Sequence, residues 1–183
     1  FMTAINAVAP ALIAGNVVLL KHATQTIVVG QRLAEAFHQA GVPPDVFQNL
    51  YLDHATTGQL IADKSFGFVN FTGSVDGGRT IEQAAAGSFT GLGLELGGKD
   101  PGYVMHDADV ELAAETLIDG AMFNSGQCCC GIERIYVADT LFENFIEKAV
   151  SIVNGYRLGN PLDPDTTLGP MAHERFSALV RAQ

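Results

Sequence analysis

Three consecutive thiols, Cys128, Cys129 and Cys130, follow the segment Phe123-Asn124-Ser125-Gly126-Gln127, and the chain has no other cysteine. A thiol serves as a nucleophile when it is exposed, when its pKa is lowered and when backbone N–H groups stand close by. Gly126 would let the backbone approach a ligand closely. The competing reading is three small side chains buried in a tight loop. A metal site is not expected here, because the nearest histidine in sequence is His106 and no CxxC spacing occurs. The second reactive candidate is Glu95, in Leu94-Glu95-Leu96-Gly97-Gly98-Lys99. A carboxylate between leucines at a strand end suits proton transfer if partial burial raises its pKa. Pairing with Lys99, or capping of the next element, is the alternative. A third segment, Phe71-Thr72-Gly73-Ser74-Val75-Asp76-Gly77-Gly78, reads as strand, glycine turn and helix N-terminus, a ready seat for a pyrophosphate. It is not GxGxxG, so the general dinucleotide fingerprint is absent and an ordinary strand-to-helix turn stays open. The fourth candidate is Lys21, just past an apolar strand, where it would face the ligand crevice of a parallel sheet or simply be solvated.

These residues need elements to hold them. Residues 17–20 read as a short buried strand, and residues 26–40 as a helix with Val29, Leu33, Phe37 and Ala40 on one face. Gly41-Val42-Pro43-Pro44 stops that helix. Residues 46–52 form a second strand, 55–62 a short helix and 66–71 a third strand. A helix then runs to about Ala86, and residues 92–96 make a fourth strand. Strands alternating with helices imply a parallel, helix-covered sheet, so the fold class is α/β. Past Gly97-Gly98 the expected order is a strand at 103–105, a helix capped by Asp107 or Asp109 and running toward Phe123, and a strand at 135–137. A helix over 140–156, the loop Gly159-Asn160-Pro161-Leu162-Asp163-Pro164 and a last helix from near His173 complete it. Residues 1–97 are expected to form part of a Rossmann-like cofactor domain, and 98–183 part of a second α/β domain bearing the thiols.

Bulk properties narrow the function. The chain has 183 residues, 48% of them hydrophobic, enough for a core. Ten basic residues against twenty acidic give a formal charge of −10, which repels phosphate backbones and argues against a nucleic-acid partner. The apolar start, residues 1–20, is interrupted by Asn6, Pro10, Gly15 and Asn16 and has no basic leader. It reads as a core helix and strand, not as a membrane span. No export signal is visible, so a cytoplasmic location is expected, and adjacent cysteines with no distant mate fit a reducing compartment. The first residue is Phe, so the natural start is expected to lie upstream.

Taken together and in this order, the four segments resemble the aldehyde dehydrogenase superfamily. The resemblance runs from Ala9-Pro10-Ala11-Leu12-Ile13-Ala14-Gly15-Asn16 to Leu168-Gly169-Pro170. It rests above all on Leu94-Glu95-Leu96-Gly97-Gly98-Lys99 and on Gly126-Gln127-Cys128-Cys129. Glu95 and Cys129 stand 34 residues apart, the interval expected between the family's glutamate and its nucleophile, which singles out Cys129 among the three thiols. The resemblance implies oxidation of a small-molecule aldehyde to a carboxylic acid by an NAD- or NADP-dependent enzyme. Cys129 would form the thiohemiacetal and thioester, Glu95 would activate water, and the Cys129 N–H would be one oxyanion donor. Lys21 would bind the adenosine ribose and Ser74 the pyrophosphate. Gly73 and Gly78 would permit close packing, and Leu96 would contact the nicotinamide end. Met2, Thr3 and Asn6 would line the aldehyde tunnel, with Cys128 and Cys130 flanking the thiol.

Departures from the family pattern carry their own implications. Many NAD-preferring members place a glutamate at the position of Thr24, and its absence removes the repulsion of a 2′-phosphate, so NADP would be accepted. The loop Asp53-His54-Ala55 lacks the glycine-rich turn common after this strand. The family's Trp-Asn-aromatic-Pro motif, source of a second oxyanion donor, would precede Phe1, and a second glutamate would follow Gln183. The chain is therefore expected to be a central fragment, inactive or weakly active by itself, whose parent is a homodimer or homotetramer. Two further classes stay open, a thiol esterase or acyltransferase using Cys129 and a non-catalytic nucleotide-binding module. The first would want a histidine base beside the thiol, and no motif places His22, His38, His54, His106 or His173 there.

Overall fold

The computed structural model describes residues 1–183 and divides them into two compact units, Phe1–Leu96 and Gly97–Gln183. The first unit runs α1 (Met2–Ile13), β1 (Val18–Leu20), a 3-10 turn (Thr24–Thr26), α2 (Ile27–Gln39) and β2 (Phe47–Asn49). It continues with α3 (His54–Ala62), β3 (Phe68–Gly73), α4 (Val75–Ala85) and β4 (Gly91–Leu96). The second runs β5 (Asp100–Val104), α5 (Val110–Met122), a 3-10 turn (Phe123–Gly126) and β6 (Ile132–Val137). A 3-10 turn (Asp139–Leu141), α6 (Phe142–Asn154) and α7 (Glu174–Ala182) follow.

The fold is α/β, and every ladder is parallel, as the alternation of strands and helices implies. The strands form three two-stranded ladders, β1–β2, β3–β4 and β5–β6. Each joins strands separated by a helix, because parallel neighbours need a crossover. In the first unit, Val8 of α1, Leu33 and Ala34 of α2 and Phe47 of β2 form one buried cluster, with Phe37 edge-on to Phe47 at 4.9 Å between ring centroids. The α1 helix buries only one stripe, and Met2 and Ile13 are 78% and 87% exposed, so it is less of a core helix than its composition implies. In the second unit, Val104, Ala114, Ile118, Phe145 and Ala149 form the core, with α5 and α6 packed together over the β5–β6 ladder. No helix is long and apolar enough to cross a membrane.

Side-chain caps start four helices by satisfying N–H groups of the first turn. The Asp53 carboxylate accepts from the Thr56 N–H at 2.6 Å, and Asp109 accepts from Glu111 and Leu112. Ser74 Oγ accepts from the Gly77 N–H at 3.1 Å, and His173 Nδ1 accepts from the Arg175 N–H at 3.1 Å.

Several strand limits differ from the sequence reading. The β3 strand runs on through Thr72 and Gly73 instead of stopping at Phe71, because the Phe71 ring lies over Gly73 and Gly77, where a Cβ would meet it at 2.6 Å. The β5 strand begins at Asp100, three residues earlier than expected. Pro101, which has no N–H to donate, pairs with Arg134 just past a bulge that leaves Glu133 of β6 unpaired. The β2 strand is shorter than residues 46–52, since its partner β1 ends at Leu20.

Candidate active site

The thiol loop grows out of the end of α5. After Met122 the chain enters a turn in which Asn124 (φ 50°), Ser125 (φ 59°) and Gly126 (φ 75°) are all left-handed. For the two non-glycine residues that conformation costs about 1–2 kcal/mol each, so something must hold it. Four hydrogen bonds do. Asn124 Nδ2 donates to the Gln127 carbonyl at 3.1 Å, and Gln127 Nε2 donates to the Asn124 carbonyl at 2.9 Å. Ser125 Oγ donates to the Gly169 carbonyl at 2.6 Å, and the Ala172 N–H donates to Gln127 Oε1 at 2.8 Å. Gln127 thus links the turn to a segment 45 residues later.

That later segment is itself ordered. The Thr167 N–H donates to the Arg157 carbonyl, the Arg157 N–H donates to Thr167 Oγ1, and Asn160 and Asp163 each accept a backbone N–H two residues on. Asn160-Pro161-Leu162-Asp163-Pro164 is therefore a structured pair of turns. A depression of about 610 Å³ lies on this side of the loop, lined in part by Asp119, Phe123, Asn124, Tyr156 and Gly169. None of the thiols faces it.

Beyond Gln127 the chain turns again, with the Gly131 N–H donating to the Cys128 carbonyl at 3.2 Å. Cys129 and Cys130 are exposed and Cys128 is half-buried, so the buried-hydrophobe reading of these residues does not hold. The Cys128 thiol is held below its ordinary pKa by the Cys130 backbone N–H and then by the Cys130 thiol, while the Cys128 thiol pushes Cys130 up. No histidine hydrogen-bonds any cysteine. His22 meets Thr26, His38 the Phe47 carbonyl and His173 the Arg175 N–H.

Glu95 belongs to the first unit, on β4, level with Thr72 of β3 at the C-terminal end of that ladder. It is exposed, not partly buried as its leucine neighbours imply: Leu94 and Leu96 are the half-buried positions. Glu95 does not pair with Lys99, which forms an ion pair with Glu133 instead. At the same ladder end, Gly73 is level with Leu96, and Ser74 caps α4. Gly78 is buried, and a Cβ there would meet both Leu96 methyls at 2.8 Å, so this glycine sets how closely α4 lies on β4. Gly73, Ser74, Gly78 and Leu96 are thus brought together around one strand-to-helix turn. Lys21 follows β1, half-buried and with no carboxylate within 4.0 Å, and Thr24 opens the exposed 3-10 turn beyond it. Met2, Thr3 and Asn6 lie on the exposed side of α1.

The loop residues Asn124, Ser125 and Gln127 carry no role in the sequence reading, yet they fix the shape of the thiol loop. Gln127 stands inside the Gly126-Gln127-Cys128-Cys129 segment, and that placement is the available signal.

Comparison with known proteins places the chain among dehydrogenases by similarity. A succinate-semialdehyde dehydrogenase [NADP(+)] of Mycobacterium leprae is 37% identical over 175 residues, which is 96% of this chain and 38% of that protein. The chain thus spans well under half the length of this relative. A solved NAD-dependent aldehyde dehydrogenase from Sinorhizobium meliloti superposes with a TM-score of 0.92 at 34% identity, covering 98% of this chain and 36% of that one. A succinic semialdehyde dehydrogenase from Streptococcus pyogenes, solved with NADP+, gives a TM-score of 0.90 at 32% identity, over 97% of this chain and 39% of that one. With residues 1–182 matching the aldehyde dehydrogenase family, this chain belongs to that family.

Proposed function

We propose that this chain carries the thiol and much of the cofactor seat of an NAD(P)-dependent enzyme that oxidises an aldehyde to a carboxylic acid. The observation that carries the reading is Cys129, exposed at the tip of a loop whose strained left-handed turn is held by four side-chain hydrogen bonds. Such a fixed, accessible thiol is what nucleophilic attack on a carbonyl requires. Cys129 Sγ as thiolate bonds to the aldehyde carbon, and the carbonyl oxygen becomes an oxyanion that the Cys129 N–H stabilises. NAD(P)+, when held by Lys21, Thr24, Ser74 and Leu96, would supply the hydride acceptor for oxidation of the adduct on Cys129 to the acyl level. Glu95 takes a proton from water, the hydroxide adds to the thioester carbon, and the C–S bond breaks to release the acid and the thiolate.

The residues present fit a dinucleotide. Lys21 is a half-buried cation without an ion-pair partner at a strand C-terminus. The exposed N-terminus of α4, opened by Gly73 and Ser74, suits a pyrophosphate. In this reading Lys21 and Thr24 meet the adenosine ribose, Ser74 meets the pyrophosphate, Gly78 keeps α4 close to β4, and Leu96 borders the nicotinamide. Thr24 brings no carboxylate to repel a 2′-phosphate, which favours NADP. Met2, Thr3 and Asn6, with Cys128 and Cys130, border the aldehyde path. A cytoplasmic, reducing setting accords with three free thiols, and a homodimer or homotetramer accords with the exposed apolar stripe Phe142, Ile146, Val150 and Val153 on α6.

The test is reduced-nicotinamide absorbance with an aldehyde panel and each cofactor, using the chain expressed in its complete reading frame. Turnover that disappears in Cys129→Ala, with a Cys129 thioester accumulating in Glu95→Gln, is the expected result. Full turnover by Cys129→Ala refutes it.

A further inference from the structure

The turn closed by the Gly131 N–H on the Cys128 carbonyl does more than expose Cys129. In an extended chain, neighbouring side chains point to opposite faces. Here the chain curls, and the three sulfurs of Cys128, Cys129 and Cys130 all lie within 4.8 Å of one another, with 3.4 Å between Cys128 Sγ and Cys130 Sγ. We propose that these three thiols form a coordination site for a soft, thiophilic d10 cation of the Cu(I), Zn(II) or Cd(II) class.

The spacing fits the chemistry. A metal–sulfur bond of about 2.3 Å in a tetrahedral set puts two sulfurs about 3.8 Å apart, so the observed set, with no pair beyond 4.8 Å, closes on an ion with about 1 Å of rotamer adjustment on an exposed turn. Thiolates select soft cations over hard ones. The sequence rule that ligands come as CxxC reflects how chains usually bring two sulfurs together, and the tight turn at 128–131 achieves the same convergence with contiguous residues. Cys129 and Cys130 are exposed, so an ion enters without unfolding, and its fourth position stays open to water or a small thiol. Binding exchanges the three S–H protons for three sulfur–metal bonds, with no change of oxidation state. The Cys129 sulfur cannot at once hold the ion and attack a carbonyl, so occupancy blocks its nucleophilic chemistry. The proposal does not depend on the dehydrogenase reading, because coordination is measured without turnover.

The experiment titrates the reduced chain with Cd2+ under inert gas. It follows the ultraviolet sulfur-to-cadmium charge-transfer band together with equilibrium dialysis. One Cd2+ per chain is expected, with affinity at least tenfold weaker in Cys128→Ser and in Cys130→Ser and weaker again in the double variant. Mass spectrometry after alkylation is expected to show all three thiols protected together. Serine keeps the size of these side chains on an exposed turn, and an unchanged amide NMR spectrum elsewhere confirms that the variants fold. Absence of the band, or a double variant that binds Cd2+ as tightly as the parent, overturns the proposal.

Discussion

Gln127→Ala removes both ends of the bridge that ties the thiol loop to residues 169–172. The amide donates to the Asn124 carbonyl at 2.9 Å and accepts from the Ala172 N–H at 2.8 Å. Each bond is worth about 0.5–1.5 kcal/mol, so the pair contributes about 1–3 kcal/mol, toward the lower end because Gln127 is only half-buried. Against this stands the left-handed cost at Asn124 and Ser125, about 1–2 kcal/mol each. The strain sums to about 2–4 kcal/mol, so losing the bridge leaves it under-compensated and frees the turn to relax. Hydrogen exchange at the Ala172 amide reads one bond directly. A loss of about 1 kcal/mol speeds it about fivefold. Gln127→Glu separates the two bonds, since a carboxylate still accepts from Ala172 but faces the Asn124 carbonyl with no donor. It is expected to keep Ala172 protected while the 124–127 amides exchange faster. Unchanged exchange at Ala172 in Gln127→Ala would refute the claim that this side chain holds the loop.

Other consequences are as concrete. Ser125→Ala loses the bond to Gly169 and keeps the strain, whereas Ser125→Gly loses the same bond but removes the strain. Urea midpoints should therefore rank the glycine variant about 1 kcal/mol more stable than the alanine variant. Gly78→Ala drives a Cβ into the Leu96 methyls at 2.8 Å and should destabilise by about 1–3 kcal/mol, less the helix-propensity gain of about 1 kcal/mol. Shortening Leu96 to Ala in the same chain should abolish that penalty in a double-mutant cycle. The Asp53 carboxyl is held below its ordinary pKa by the Thr56 N–H. Its contribution to α3 is thus fully present above the unfolded carboxylate pKa of about 3.9 and is lost as pH falls through the lower folded value. Asp53→Asn should flatten that acid dependence, read by NMR of the α3 amides. If Thr24 borders the ribose, Thr24→Glu sets like charges at about 4 Å, worth about 1 kcal/mol in water and about 4 kcal/mol near a protein surface. The NADP-over-NAD preference should then fall at least about fivefold, and an unchanged ratio removes Thr24 from the site.

The order of elements and the parallel pairing were legible because apolar runs such as 17–20 and 92–96 alternate with helical stripes such as Leu141, Phe145 and Ala149. What escaped depends on contacts distant in sequence. Gly73 reads as a turn residue, yet the ring of Phe71 over it keeps it in a strand. Pro101 lies outside the strand expected at 103–105, yet a bulge at Glu133 of the partner strand accommodates it. Nothing local marks Asn124 and Ser125 as left-handed, because the partners that hold them there include Gly169 and Ala172. Glu95 shows the limit for the site itself. Its motif marks the residue, but flanking leucines do not bury a carboxylate that alternates to the other face of the strand.

Two of the four bonds that shape the thiol loop close across 44 and 45 residues, and this has a meaning in time. At a synthesis rate of about 5–20 residues per second, the thiols are made about 2–9 s before Gly169 and Ala172 exist. During that interval Asn124 and Ser125 have only the two local bonds between Asn124 and Gln127 to hold them left-handed, and the cysteines lack the anchor at 169–172. The reactive loop is thus among the last parts of its unit to acquire a shape, and alkylation of stalled nascent chains would catch it before its anchor arrives.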